Sequence, residues 1–197
     1  MRVAHNYGLV RIVHLGSPFE HASDIVVVAA SGTTGAGRNG KVALSASEIM
    51  NSLSSYKFGG VHQHTPEIEE TLSNLSATPV KVSFTPILAP MPRGILATIT
   101  ARSATGQDEL RKIYEAAYSA ERFVKLLPEG RLPETASLIA SNGAHLQIAK
   151  DEHTARLVVS IAIDNLGKGA AGQAIQNANL ISGLAEEAGL TEIGIGQ

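Results

Sequence analysis

The sequence contains no cysteine, which excludes disulfides, thiolate–metal sites and a thiol nucleophile from within these 197 residues. It also contains no tryptophan, and aromatics make up only 4%. That is too few to expect the stacking platforms on which bases or sugars lie. Neither sign of charge dominates, since 16 basic residues stand against 18 acidic ones for a net charge of −2. The balance leaves no basic footprint for a nucleic acid or an anionic membrane. No apolar run reaches the roughly 18 residues that a spanning helix requires. The opening "MRVAHNYGLVRIVHLGSPFE" lacks the continuous apolar block of a secretory leader. A cytoplasmic location is the resulting expectation. Hydrophobic residues at 44% and charged residues at 17% suit a single globular core.

The run "DIVVVAAS" (24–31), β-branched and ended by glycines, predicts a buried strand. After the loop "GTTGAGRNG" (32–40), "KVALSASEIMNSLSSY" (41–56) predicts a short helix. In "TPEIEETLSNLS", Ile68, Leu72 and Leu75 recur at helical spacing, with Thr65 as the expected N-cap and Pro66 at the first helical position. "VKVSF" (80–84) and "GILATITAR" (94–102) read as strands joined by "TPILAPMPR", whose prolines predict a fixed, extended connection. A helix over 105–120 presents Leu110, Ile113, Tyr114 and Ala117 on one face. "RFVKLLPEG", "ASLIAS", "AHLQIAK" and "RLVVSIAID" predict further strands, and a long helix over 169–189 carries a stripe of Ala174, Ala178, Ile181 and Ala185. Strands outnumber helices and their connections are short. The fold class expected is therefore α+β: a mixed, largely antiparallel sheet covered by helices on one face. Residues 1–23 have poor periodicity and stay unplaced; residues 24–197 form the expected domain.

Four stretches carry candidate chemistry. "GAGRNG" (35–40) matches the dinucleotide fingerprint and follows a strand, but no acidic residue stands among Asn51–Tyr56, where the ribose partner belongs. Read as a P-loop, the same stretch has Val42 where a hydroxyl should hold Mg²⁺. The plainer reading is a glycine loop whose amides approach an anion, with Arg38 adding charge. In "HQHTPEIEE", His62 and His64 project to one side of an extended backbone, and Glu67 follows in the first helical turn. A carboxylate beside an imidazole suits acid/base chemistry near neutral pH. A metal site, which needs further ligands, and a merely solvated helix entrance are the alternatives, and the residues alone leave them open. Arg93, on a proline–glycine turn, is a candidate anchor for a carboxylate or phosphate. In "IDNLGKGAAGQAIQN", Asp164, Asn165 and Lys168 cluster at a strand-to-helix junction, followed by an unusual density of amides.

In this order and spacing, "SGTTGAGR", "HQHTPEIE", "FTPILAPMPRGILAT" and "IDNLGKGAAGQAIQN" closely resemble the N-acetyl-gamma-glutamyl-phosphate reductase family of arginine biosynthesis, from about Asp24 to the C-terminus. The resemblance implies a domain like the C-terminal domain of glyceraldehyde-phosphate and aspartate-semialdehyde dehydrogenases, whose sheet pairs subunits into a homodimer or higher oligomer. It also implies NADPH-dependent reduction of an acyl phosphate to a semialdehyde, in which a cysteine thiolate displaces phosphate and the thioester accepts hydride. Carried onto this sequence, His64 is the acid/base, with His62 and Glu67 as supports. Ser31, Gly35, Arg38 and Arg93 are substrate or phosphate contacts, while Gly172 and Asn177 lie toward the nucleotide. No metal is implied. Gln63 stands where many relatives carry arginine. The family's NADP domain and its cysteine have no counterpart in these residues. A hydroxyl is barely ionised at neutral pH and its ester accepts hydride less readily, so no Ser or Thr replaces the thiol. The chain alone is therefore expected to be inactive. Other readings are a non-catalytic oligomerisation or interaction module, half of a split reductase, a lysine-pathway relative, or a P-loop-like nucleotide binder.

Overall fold

The computed structural model describes residues 24–36, 45–76 and 78–196. Its strands are β1 Ile25–Ser31, β2 Ser54–Ser55, β3 Val82–Leu88, β4 Ile95–Arg102, β5 Val124–Leu126, β6 Ala144–Asp151 and β7 Arg156–Ile163. The three longer helices are α1 Thr65–Ser76, α2 Gln107–Tyr118 and α3 Gly172–Ile181. The strands form one sheet in the order β2-β3-β1-β4-β7-β6-β5. Only β1–β3 and β5–β6 pair in parallel, and the other four pairings are antiparallel. The mixed, largely antiparallel sheet expected from the sequence is what forms.

One face of the sheet carries the core. Ile25, Val27 and Ala29 of β1 alternate inward with Ala97 and Ile99 of β4 and Leu157, Val159 and Ile161 of β7. Against them pack Ile68 and Leu72 from α1 and Leu110, Tyr114 and Tyr118 from α2. The period of two in the strands and of three to four in the helices brings these sets together. Glu69 stitches α1 to β3, its carboxylate accepting from the Val82 N–H at 3.1 Å and from Lys81 at 3.0 Å. The opposite face is open over β1 and β4, where Val28 is 37% exposed and Leu96 38%, while Ala162 of β7 and Gln147 of β6 are covered. The run "IVVVAAS" is apolar on both sides, yet only one side is buried in this chain.

The structure corrects several local expectations. The helix over 41–56 shrinks to one turn, Ala46–Ile49, followed by β2; residues 41–44 lie outside the described residues. The serines there and Asn51, at φ 66°, favour turns over a continued helix. "ASLIAS" forms a 3-10 turn at Ala136–Leu138 instead of a strand, and Ala140 at φ 63° ends it. Thr65 is not the N-cap of α1. The carbonyl of His64 accepts from the Ile68 N–H at 3.0 Å, which puts His64 in that place and Pro66 one position later. Thr65 instead shares the inward face with Ile68 and Leu72, and its buried Oγ1 has no hydrogen-bond partner among the described residues. Strand β3 runs on through Pro86, whose carbonyl accepts from the Tyr56 N–H at the sheet edge. Its absent N–H falls on that edge side, where a strand tolerates proline.

The last helix departs most from expectation. A π-helical turn at Gly167–Ala171 precedes α3, which stops at Ile181 because Gly183 takes the left-handed conformation that ends helices, φ 69°. The predicted stripe is the outer face: Ala174, Ala178, Ile181 and Ala185 are all exposed. Gly172, Gln173, Gln176 and Asn179 are the buried residues. The reason lies in their distant partners, described below.

Candidate functional site

Register fixes which motifs meet. Ser31 at the end of β1 is level with Leu88 at the end of β3 and Ile95 at the start of β4, and Ile95 is level with Ile163 at the end of β7. The glycine loop, the Arg93 turn and the "IDNLGKG" junction therefore leave the same end of the sheet. They are bonded to one another. The Gly32 N–H donates to the Gly94 carbonyl at 2.8 Å, that of Thr33 to Met91 at 3.0 Å and that of Thr34 to Pro92 at 3.2 Å. A β-carbon on Gly32 would stand 2.9 Å from the Pro92 carbonyl oxygen, so only glycine allows this approach.

Asp164 and Asn165 lock the three segments. Asn165 accepts from the Gly94 N–H at 2.8 Å through Oδ1 and donates to Thr34 Oγ1 at 3.0 Å through Nδ2. Asp164 is fully buried. Its carboxylate takes Arg93 Nε at 3.2 Å and Nη2 at 2.5 Å, and also the N–H groups of Ala140, at 2.5 Å, and Leu166, at 2.9 Å. Burial pushes its carboxyl up, but Arg93 and the N–H groups of Leu166, Ala140 and Gly167 outweigh that and hold it below the ordinary value. Arg93 is thus held from one edge, with its side chain still 32% exposed. Sequence reasoning saw the Asp164–Asn165 cluster without assigning it a role, because its partners lie 71 positions away.

His62 and His64 sit at the start of α1, beside β3 at Phe84, which is level with Val27 in the middle of β1. His62 is only 6% exposed, packed edge-on against Phe84 at 5.0 Å between ring centres and near Tyr56 at 5.7 Å. Its Nδ1 accepts the backbone N–H of His64 at 3.2 Å. Burial, with His64 and Lys57 adding to it, lowers its pKa and keeps it neutral at pH 7. The imidazole of His64 is exposed, with its ring centre 5.0 Å from that of His62. Glu67 turns to solvent, and its carboxylate makes no ion pair or hydrogen bond with either imidazole among the described residues. The expected carboxylate–imidazole couple is not formed; a buried neutral histidine holding the backbone of an exposed one stands in its place.

The remaining candidates separate. The side chain of Ser31 donates weakly to the carbonyl of Gly32 at 3.3 Å, and Gly35 lies exposed beside Asn165 and Ser31. Arg38 lies outside the described residues. Gly172 is a packing position, since a β-carbon there would come within 2.5 Å of Asn142 Oδ1 and 2.8 Å of the Gly167 carbonyl oxygen. Asn177 Oδ1 accepts from Gln173 at 3.2 Å. The inward amides of α3 serve Lys168 and the chain end. Gln176 accepts from Lys168 Nζ at 2.6 Å and from Asn142 Nδ2 at 2.9 Å, and donates to Glu186 at 2.5 Å.

Lys168 is 8% exposed and lies 5.4 Å above the centre of the Phe123 ring. Burial brings its pKa down from 10.5 to about 8, against the opposing pull of Glu186 and Glu121. Between those two values the unfolded chain holds more protons than the folded one, so folding stability rises as pH rises through that window. The whole window is worth about 3 kcal/mol. Lys168→Met is expected to remove this slope and to be neutral or stabilising at pH 7, because a buried charge is lost with no volume change. Urea midpoints of both proteins at pH 7 and pH 10 measure it, and parallel pH dependences would disprove it.

Sequence comparison adds the relatives. The protein-family description "semialdehyde dehydrogenase, dimerisation domain" matches residues 12–165. The N-acetyl-gamma-glutamyl-phosphate reductase of Acidothermus cellulolyticus is 58% identical over 184 residues, covering 92% of this chain and 52% of the relative. The chain spans about half the length of the curated relatives it matches. Among solved structures, a probable aspartate-semialdehyde dehydrogenase from Pseudomonas aeruginosa superposes with a TM-score of 0.69 at 17% identity, over 90% of this chain and 60% of that one. An aspartate semialdehyde dehydrogenase with NADP from Candida albicans does so with a TM-score of 0.60 at 15% identity, over 90% and 55%. At such identities the likeness concerns the fold, and the expected α+β architecture is the one these structures share. Sheet, motifs and family match agree, and the chain belongs to the semialdehyde dehydrogenase dimerisation-domain family.

Proposed function

We propose that this chain is the dimerising, histidine-bearing half of an NADP-dependent N-acetyl-gamma-glutamyl-phosphate reductase. The observation that carries the reading is the His62–His64 pair. A neutral, buried imidazole fixes the backbone of an exposed one beside β3, the strand paired with β1, from whose end the glycine loop leaves. An exposed histidine held from behind suits proton transfer to a developing alkoxide. Here His64 is the acid/base and His62 its positioning residue, with Glu67 left to solvent. Ser31, Gly35 and Arg93 contact the substrate's anionic side, Arg93 presenting the guanidinium edge that Asp164 leaves free, and Arg38, outside the described residues, is assigned the same role from the sequence alone. Gly172 and Asn177 fit a nucleotide poorly. The former is covered by Asn142 and the latter is paired with Gln173, so NADP is expected to rest mainly on sequence beyond these residues.

The open sheet face supports self-association. Val28 and Leu96 lie on it in adjacent antiparallel strands, and an apolar sheet face of this kind is stable when a second copy covers it. The wild-type chain is expected to sediment as a dimer, and a Val28→Lys, Leu96→Lys double variant as a folded monomer. With no thiol, the purified chain is expected to oxidise no NADPH with the acyl phosphate. A monomeric wild type removes the dimerisation half of the reading, and measurable turnover removes the catalytic half. A module that only assembles also dimerises. It differs in failing to restore reductase activity when mixed with a separate chain that supplies cysteine and the NADP domain.

A further inference from the structure

The segment that follows α3 crosses a cleft beside the Arg93–Asp164 pair. That cleft, about 240 Å³, has Arg93, Ser141, Asn142 and Gly167 on one side and Leu190 and Thr191 on the other. The segment lies over it in an unusual way. Of residues 182–196 only Gly194 is buried, while Leu184, Ile193 and Ile195 are 59–79% exposed. It is held by polar hooks and backbone contacts. Asn179 Nδ2 donates to the carbonyls of Glu186 at 3.0 Å and Ala188 at 2.9 Å. Gln176 holds the Glu186 carboxylate, the Asn142 N–H reaches the Thr191 carbonyl at 2.7 Å, and the Ile195 N–H reaches that of Ile139 at 3.0 Å. Two left-handed glycines with open space around them lie in the segment, Gly183 at φ 69° before the first hook and Gly189 at φ 72° between the Ala188 and Thr191 hooks.

We propose that residues 182–196 are a strap that forms one wall of this cleft and opens about Gly183 and Gly189, so that the amides of α3 control how far the cleft is uncovered. Segments with few buried apolar groups and many solvent-facing hydrogen bonds open at lower cost than the fold as a whole. The inverted polarity of α3 follows from this: its inner face is built to hold a removable segment with amides, where apolar side chains would fuse it into the core. Opening bares the cleft wall at Ser141, which is 2% exposed, while leaving the sheet intact.

The absence of native cysteine makes the test clean. A single Ser141→Cys reporter reads strap opening, Ala97→Cys in the central sheet reads global unfolding, and Ala149→Cys on the exposed side supplies the rate of an open thiol. Alkylation of Ser141→Cys is expected to be at least about tenfold faster than that of Ala97→Cys and far slower than that of Ala149→Cys. Adding Asn179→Ala, which removes two hooks, is expected to speed labelling of Ser141→Cys by about tenfold and leave Ala97→Cys unchanged. Gly189→Ala, which strains the second turn, should act in the same direction. The proposal fails if Ser141→Cys labels only as fast as Ala97→Cys, or as fast as the open thiol, or if both strap variants leave its rate unchanged.

Discussion

Asp164→Ala is expected to lower the unfolding free energy by about 3–5 kcal/mol, the range found when one partner of a buried charge pair is removed. The carboxylate is fully buried and receives donors only: both forks of Arg93 on one side, the N–H groups of Ala140, Leu166 and Gly167 on the other. Alanine leaves those backbone donors with no acceptor and the guanidinium with no counter-charge. Asp164→Asn, although isosteric, is expected to cost nearly as much. Each oxygen accepts from more than one donor, so an amide NH₂ in either place faces an N–H. The pH dependence has a definite sign. Because the folded carboxyl lies below its ordinary value of 3.8, the stabilisation is complete above that value and is lost as pH falls through the lower, folded one. Urea unfolding at pH 7, with a double-mutant cycle on Arg93→Ala, measures the loss and the coupling. A loss under about 1 kcal/mol, typical of a surface pair, would refute it. The consequence for the site is direct, since Asp164 joins segments that the sheet alone only brings near each other.

The strands and helices that make the core were legible because their partners share one simple rule. Ile25, Val27 and Ala29 alternate, Leu110 and Tyr114 recur at four, and each set needs only an apolar neighbour of any identity. The misread elements obey partners that are distant and specific. Gln176 and Asn179 point inward because Lys168, Asn142 and the segment after the helix meet them there. A helical wheel, which assigns alanines to the core and amides to water, inverts such a helix. The histidines show the same limit at the site. Spacing puts His62 and His64 on one side of an extended segment, but only the packing of Phe84 and Tyr56 makes one of them buried and neutral and leaves the other free. Glu67, close in sequence and of the right chemistry, is turned to solvent by the helix whose first turn it occupies.

Gly94→Ala is expected to be as damaging as Asp164→Ala, about 3–5 kcal/mol, from two separate causes. At φ 111° the residue occupies a conformation that L side chains rarely adopt. A β-carbon would also stand 2.6 Å from Thr135 Cβ, well inside contact distance. The backbone cannot retreat, because the Gly94 N–H is taken by Asn165 Oδ1 at 2.8 Å and its carbonyl by the Gly32 N–H at 2.8 Å. Any shift that relieves the clash pulls on the glycine loop and on Asn165 together. The two causes can be separated by a second substitution. Thr135→Gly removes the colliding side chain and leaves the dihedral strain, so the double variant should recover about half of the lost stability. Full recovery would show that φ costs nothing here, and no recovery would show that the collision is absorbed elsewhere. Thermal and urea unfolding of the four proteins decide between these outcomes. The turn that presents Arg93 is therefore set by a glycine at one position and by a carboxylate 70 residues further along the chain, and neither can be replaced without moving the other's partner.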